Sequence, residues 1–318
     1  MKNAEKIDHF IKYELQKNNL DNVSRTLAYQ QFYNHVPEIK WAYLANMVSR
    51  NAGWSMSDLL HDAMVQLLDD EWRRRLFTTY ERANWLIFSD AYPQLLIYKL
   101  SHEANSGLFD HLKRWNVSKW MINEWWIFWS EKDEERLLKA LIINEQNTIE
   151  KPVLKAPFFK KKVFGQFLYK VQDFNHNNIV VFPSSEGELY GAASAHFTKV
   201  AKRVEIGYKL AWILFESKAK ESIYSYYKNS TYVGCRSIDI PIHMFQNDHS
   251  LPLRSVFPII YHHDEVREDW SLKHYHQSNI LLSKKVHPPK NNHLTKWFER
   301  KRKHLFMIGK LASFFDKK

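Results

Sequence analysis

SRTLAYQQFYNHVPEIKWAYLANMVSRNAGWSMSDLL, residues 24–60, decides the fold class. Its central part, EIKWAYLANMVSRNA (38–52), sets Ile39, Ala42, Leu44, Ala45, Met47 and Val48 at helical spacing, so the apolar period is that of a helix and not of a strand. Pro37 stands where the first turn of a helix has no use for an N–H, and Gly53 is placed to stop it. Ser55, three residues before Asp58, is expected to cap a second helix through SDLLHDAMVQLL (57–68).

Working outward, the same period recurs. Glu71 to Lys99 reads as a long helix, broken or kinked at Pro93. Ser118 is a cap for KWMINEWWIFWSE (119–131), and EERLLKALIINE (134–145) repeats the pattern. Nine of the twelve tryptophans lie between Trp41 and Trp129, which predicts an aromatic core shared by several helices. EKPVLKAPFFKKK (150–162) interrupts the period with two prolines and five lysines and marks a boundary or exposed crossover. After it, FGQFLYKVQDF (164–174) is a helix candidate, NNIVVFP (177–183) is short and β-branched, and helical spacing returns from about Ala193 to Tyr227. Residues 228–293 are the least regular, punctuated by Pro241, Pro252, Pro258, Pro288 and Pro289. The expected architecture is mainly α, a multi-helix, aromatic-rich globular body with an irregular proline- and histidine-rich segment and a basic amphipathic C-terminal helix. Its parts are a helical domain (1–150), a mixed helical and irregular portion of the same body (151–290), and that C-terminal helix (291–318).

Composition narrows the chemistry. The 318 residues are 45% hydrophobic, 15% aromatic and 25% charged, enough for a real core. Mean hydropathy is −0.50 and no window approaches the ~20 apolar residues of a membrane span. No two of the eight glycines have the GxG spacing of a dinucleotide fingerprint, and GxxxxGK[ST], GxSxG and HExxH are all missing. Cys235, alone, can form neither an intrachain disulfide nor a cysteine zinc site, and fits a reducing compartment. The opening MKNAEKIDHF carries Glu5 and Asp8 and no apolar run, so no signal peptide is expected. A cytoplasmic location follows, with peripheral attachment to a membrane left open.

The formal charge is +11, but it is not spread evenly. Residues 1–150 hold 18 Lys/Arg against 21 Asp/Glu, residues 151–283 hold 17 against 12, and residues 284–318 hold 11 against 2. The excess therefore sits in the tail, HLTKWFERKRKHLFMIGKLASFFDKK (293–318). Along a helix, Leu294, Trp297, Phe298, Leu305, Ile308, Leu311, Ala312 and Phe315 occupy an arc of about 140°. Lys296, Arg300, Lys301, Arg302, Lys303 and Lys310 are the candidate polyanion contacts, for nucleic acid or an anionic lipid surface. The alternative is a terminal helix that docks its apolar arc on the core and solvates its lysines. If the tail is an appendage, deleting residues 290–318 abolishes polyanion binding and leaves the fold intact.

Two other constellations carry potential chemistry. In the first half, Arg25, Tyr29, Tyr33, Glu38, Arg50, Asn51, Arg82, Asn84 and Asp90 stand among apolar neighbours. Such a set can hold a phosphate or a small polar substrate, and an enzyme using it, metal-assisted or not, is the alternative function; equally, it can be paired ions fixing helix crossings. Nine of the sixteen histidines lie in 243–304. His262, His263, His274 and His276 are the candidate ligands for a divalent metal, and on a strand His274 and His276 would share a face. No cofactor is evident, and a protein partner remains open.

The strings SRT through PEI, WA, MVSRNAGW and SDL, with ERANWLIFSDAYPQLL (81–96) and LPLRSVFP (251–258), resemble the YppC-like proteins, an uncharacterised family of low-GC Gram-positive bacteria with a domain of unknown function. The resemblance spans most of the chain and implies a bacterial, cytosolic origin, with no activity or catalytic residue attached.

Overall fold

The computed structural model describes residues 2–154, 179–193, 199–246, 250–263 and 267–315. The fold is mainly α, as its period requires. Seven helices come first: α1 (Lys2–Asn18), α2 (Asn22–His35), α3 (Lys40–Ser57), α4 (Asp62–Leu67), α5 (Asp70–Glu103), α6 (Lys119–Glu131) and α7 (Glu134–Thr148). A hairpin of β1 (Ile179–Pro183) and β2 (Leu189–Ala193) separates them from α8 (Val200–Phe215) and α9 (Lys220–Asn229). Three single turns follow, α10 (Arg236–Asp239), α11 (His243–Gln246) and α12 (Leu253–Val256). Then come α13 (Ser271–Leu282) and α14 (Thr295–Phe315). The expected boundary at 150–162 enters residues outside those described, as does the helix candidate at 164–174.

Local chemistry sets most helix starts. Asp21, Asp69 and Ser118 each accept a backbone N–H of the first turn, from Ser24, Trp72 and Met121. The expected stop at Gly53 and cap at Ser55 do not occur: α3 runs on to Ser57, a 3-10 turn spans Asp58–Leu60, and His61 caps α4. Gly53 lies mid-helix, at a position where a Cβ would collide with the Tyr232 hydroxyl and the Asn22 side chain. Nor does Pro93 break α5, which is continuous over 34 residues.

Two cores organise the body. The larger is built from α1 to α3, α5 to α9 and the hairpin, with Trp41, Trp120 and Trp125 almost wholly buried. The smaller gathers Trp54, Met64, Phe77, Val181, Tyr232, Phe245, Leu294 and Phe298. Both draw on residues before 150 and after 179, so the helical first half and the later segments share their interiors.

The hairpin is antiparallel, with Val181 opposite Gly191, and neither edge is bare. Asn51 of α3 imitates a neighbouring strand along β1: its amide donates to the Val181 carbonyl at 2.6 Å and accepts from the Val181 N–H at 2.9 Å. Along β2, Gly191 N–H donates to Asn292, Leu294 N–H donates to Leu189, and Leu189 N–H donates to the Thr295 hydroxyl. Exposed strand edges invite pairing with other chains, and here both are closed.

Candidate functional site

The polar residues of the first half separate into distinct networks. Arg25 and Glu81 form an ion pair at 2.6 Å, with side chains 1% and 3% exposed. Arg25 also donates to Asn19 at 3.1 Å. Among the described residues, Arg50 meets no carboxylate at contact distance. It donates to Asn46 (3.0 Å), the Ser230 hydroxyl (2.9 Å) and the Thr231 carbonyl (3.3 Å), and lies over the rings of Tyr226 and Tyr232. Asn51 is committed to β1. Glu38 accepts from Tyr98, and Tyr33 stacks on Tyr43. Asn84 bonds the Tyr80 carbonyl within α5. Tyr29 is buried against Trp41 and Phe88, which raises its hydroxyl well above the ordinary range. Arg25, Glu38, Arg50 and Asn51 thus take separate hydrogen-bond partners.

Asp90 holds a second knot. Its carboxylate accepts from Gln94 (2.8 Å), Asn144 (2.6 Å) and Arg267 (3.3 Å). Two indoles lock that frame: Trp125 donates to Gln94 at 2.8 Å and Trp270 donates to Asn144 at 3.2 Å. Arg267 and Trp270 come from the irregular segment, so this network ties that segment down on α5, α6 and α7. No motif in the sequence signals that pairing, because it joins residues 126 to 177 positions apart.

Nearby, Glu145 has no arginine. Its carboxylate accepts from the Trp41 indole at 3.1 Å and from Gln146, and burial pushes its pKa up to about 7. Asp239 is held by Trp54 and by the backbone N–H groups of Val233, Gly234 and Cys235, while burial still raises its carboxyl.

One meeting crosses the expected constellations. Trp85 packs against His262, ring centres 5.3 Å apart, and the Arg82 guanidinium lies 4.8 Å from the Trp85 ring. Arg82 also donates to the His263 carbonyl at 3.2 Å. Burial, with Arg82 and then Arg25 nearby, lowers the His262 pKa to about 4, so the ring is neutral near pH 7. Arg25, Arg82 and His262 are therefore one electrostatic neighbourhood on the surface of α5.

The metal reading fares differently. His274 and His276 lie on α13, a helix and not a strand, so a spacing of two no longer puts them on one face. His274 bonds Gln277 at 3.1 Å, and His263 and His276 are exposed. Among the described residues, no three His, Cys, Asp or Glu side chains are grouped to hold a metal ion.

The tail forms the expected helix and docks it. Leu294 and Phe298 are buried in the smaller core, Trp297 and Leu305 pack at its edge, and Gly309 sits against Ala63 of α4. Arg302 is 7% exposed, its guanidinium over Phe245 and Phe306, and so is not part of an outward cationic face. Lys296, Arg300 and Lys303 are exposed, and Lys301 lies over Trp297. The Lys310 side chain lies outside the described residues. No helix among those described is long and apolar enough to cross a membrane.

With this geometry in place, the chain can be set beside known proteins. The model of a family described as protein of unknown function (DUF2515) matches residues 17–299. The chain belongs to that family. A curated relative, the uncharacterized protein YppC of Bacillus subtilis (strain 168), is 39% identical over 310 residues, covering 96% of this chain and 95% of the relative. The family's match takes in every network described above and ends inside α14, at residue 299. No solved structure matches the chain.

Proposed function

We propose that the protein binds nucleic acid, with little sequence preference, through the outward face of α14. The observation that carries this reading is the division of the helix: Trp297, Phe298, Arg302 and Leu305 face the core, while Lys296, Arg300 and Lys303 stand exposed at positions i, i+4 and i+7. Over those seven residues the helix rises about 10 Å, the axial reach of roughly three phosphates on one strand. The Glu299–Lys303 ion pair at 2.8 Å is on the surface and yields easily to a phosphate. The same division argues against a helix lying in a bilayer, which needs the apolar arc that the core already uses. The enzyme alternative draws less support, because Arg25, Glu38, Arg50 and Asn51 are each engaged by different partners. A cytoplasmic location fits a nucleic-acid partner.

Docking also changes the test. Removing residues 290–318 would strip Leu294 and Phe298 from the smaller core, so loss of binding by such a truncation would not isolate the cations. The decisive variant is Lys296→Glu with Arg300→Glu and Lys303→Glu, whose sites are solvent-facing. In fluorescence anisotropy with a labelled 20-nucleotide single strand, the wild type should bind at 50 mM salt. The triple variant should bind about 100-fold more weakly, with a salt slope shallower by about 2. Equal binding by the triple variant, no binding by the wild type, or capture by phosphatidylserine vesicles but not by the oligonucleotide would each overturn the proposal.

A further inference from the structure

A cleft of about 590 Å³ opens between the end of α1, the middle of α5, the 3-10 turn at Phe109–Trp115 and the segment at 260–262. Its position follows from the packing above: the Trp85 ring forms part of its wall, and His262 leans on that ring. Trp115 and Tyr261 bring two further aromatic side chains, and Arg114 brings a cation. Tyr261 is 80% exposed, a high value for an aromatic side chain at the mouth of a cleft.

The polar character of the wall is one-sided. No carboxylate lines the cleft, although another of about 470 Å³ is walled by Glu124, Asp133 and Glu135. Arg114 lines it directly, and the Arg82 guanidinium lies against the Trp85 ring of its wall. Arg114 is paired with Asp8 at 2.6 Å, but its side chain is 59% exposed, so that pair is weak. The indole N–H of Trp115 and Nε2 of His262 are covered from solvent and have no hydrogen-bond partner among the described residues. Buried polar atoms are nearly always paired, and an indole N–H can be satisfied only by an acceptor. Aromatic walls, a donor in want of an acceptor and a positive potential describe one kind of guest.

We infer that this cleft binds a small, planar, acceptor-rich ring compound carrying a negative charge. Its ring stacks among Trp85, Trp115 and Tyr261, an acceptor atom takes the Trp115 N–H once the Trp115 side chain turns it toward the cleft, and its anionic group lies toward Arg114. A cation is disfavoured by the same guanidinium groups, and a plain sugar would find no carboxylate for its hydroxyls. Two sources share the required chemistry: nucleoside monophosphates and aromatic carboxylates. The site is independent of the α14 face and stands or falls separately.

Isothermal titration calorimetry on the full chain tests it, with adenosine 5′-monophosphate and indole-3-acetate as the two probes and adenosine and spermidine as comparisons. At least one probe should bind, identifying the source, and adenosine should bind less tightly than its monophosphate if that is the one. Spermidine should not bind. Trp115→Phe keeps the ring and removes the N–H, and Tyr261→Ala alters an exposed side chain; each should weaken the binding probe about tenfold. Lys209→Ala, beside a different cleft, should leave it unchanged. Failure of both probes at millimolar concentration overturns the inference, as does binding that survives Trp115→Phe and Tyr261→Ala together. Spermidine binding tighter than either probe would also overturn it.

Discussion

Arg25 and Arg50 are buried to the same depth, 1% and 0% exposed, yet their surroundings solve the charge in opposite ways. Where α2 crosses α5, Arg25 faces the Glu81 carboxylate, and the unit is self-contained and neutral. Where α3 meets residues 226–232, Arg50 faces, among the described residues, neutral acceptors and two phenol rings. Its charge is left to act on the neighbourhood, where it lowers the pKa of Tyr226, Tyr232 and Asp239 against the larger effect of burial. A self-contained pair can be exchanged as a pair. A lone buried cation is woven into several segments and has no single partner to remove with it.

The sharpest way to break the comparison is Glu81→Leu, which leaves the Arg25 charge buried and unpaired. Chemical denaturation should show a loss of about 3–5 kcal/mol. Adding Arg25→Met should restore stability to within about 1 kcal/mol of the wild type. If the double variant is as unstable as the single one, the pair is not self-contained. Next in size is Arg50→Met, which strands the Ser230, Thr231 and Asn46 acceptors and removes both ring contacts. A loss of about 2–4 kcal/mol is expected, and Asp239→Asn added to it should not recover the loss, because Asp239 has its own donors in Trp54 and three backbone amides.

Glu145 extends the contrast to a carboxylate without a cation. Its folded-state pKa of about 7 lies above the ordinary value of 4.5, so the folded protein holds the proton more tightly than the unfolded chain. Stability therefore declines as pH rises from about 4.5 to 7 and is flat beyond. The contribution of this residue should be about 3 kcal/mol smaller at pH 8 than at pH 4.5. Glu145→Gln keeps an acceptor for Trp41 and should remove that slope; denaturation midpoints measured across the range would show whether the slope persists.

Fold class was legible because the period of Ile39 to Val48 and of 134–145 is local information, and so are caps such as Ser118. What failed was also local in form but not in cause. Gly53 has the composition of a stop, yet its role is set by Tyr232, almost 180 positions away. Ser55 resembles a cap, but α3 is held past it by the burial of Trp54 and Met56. His274 and His276 sit in a proline-punctuated region whose helix, α13, depends on Ser271, Ser278 and Leu281 reaching the core. Of the candidate site residues, Arg25, Arg50 and Asp90 stand out in the sequence as charges among apolar neighbours, which must be paired or solvated. The sequence held no sign of which partners they take. Arg302 shows the same gap: its spacing cannot distinguish a solvated guanidinium from one laid over Phe245. Trp115, Arg114 and Tyr261 were missed because they meet only in three dimensions.

The closed edges of the hairpin have a consequence for how the chain is made. Asn51 leaves the ribosome early and is ready for β1 as soon as Val181 appears. The other flank, however, is sealed by Asn292, Leu294 and Thr295, which follow β2 by about 100 residues. Over that interval of translation, and in any product that stops within it, β2 offers a bare row of amides and carbonyls to whatever strand comes near. Synthesis of residues 292–295 is thus also the event that covers this edge.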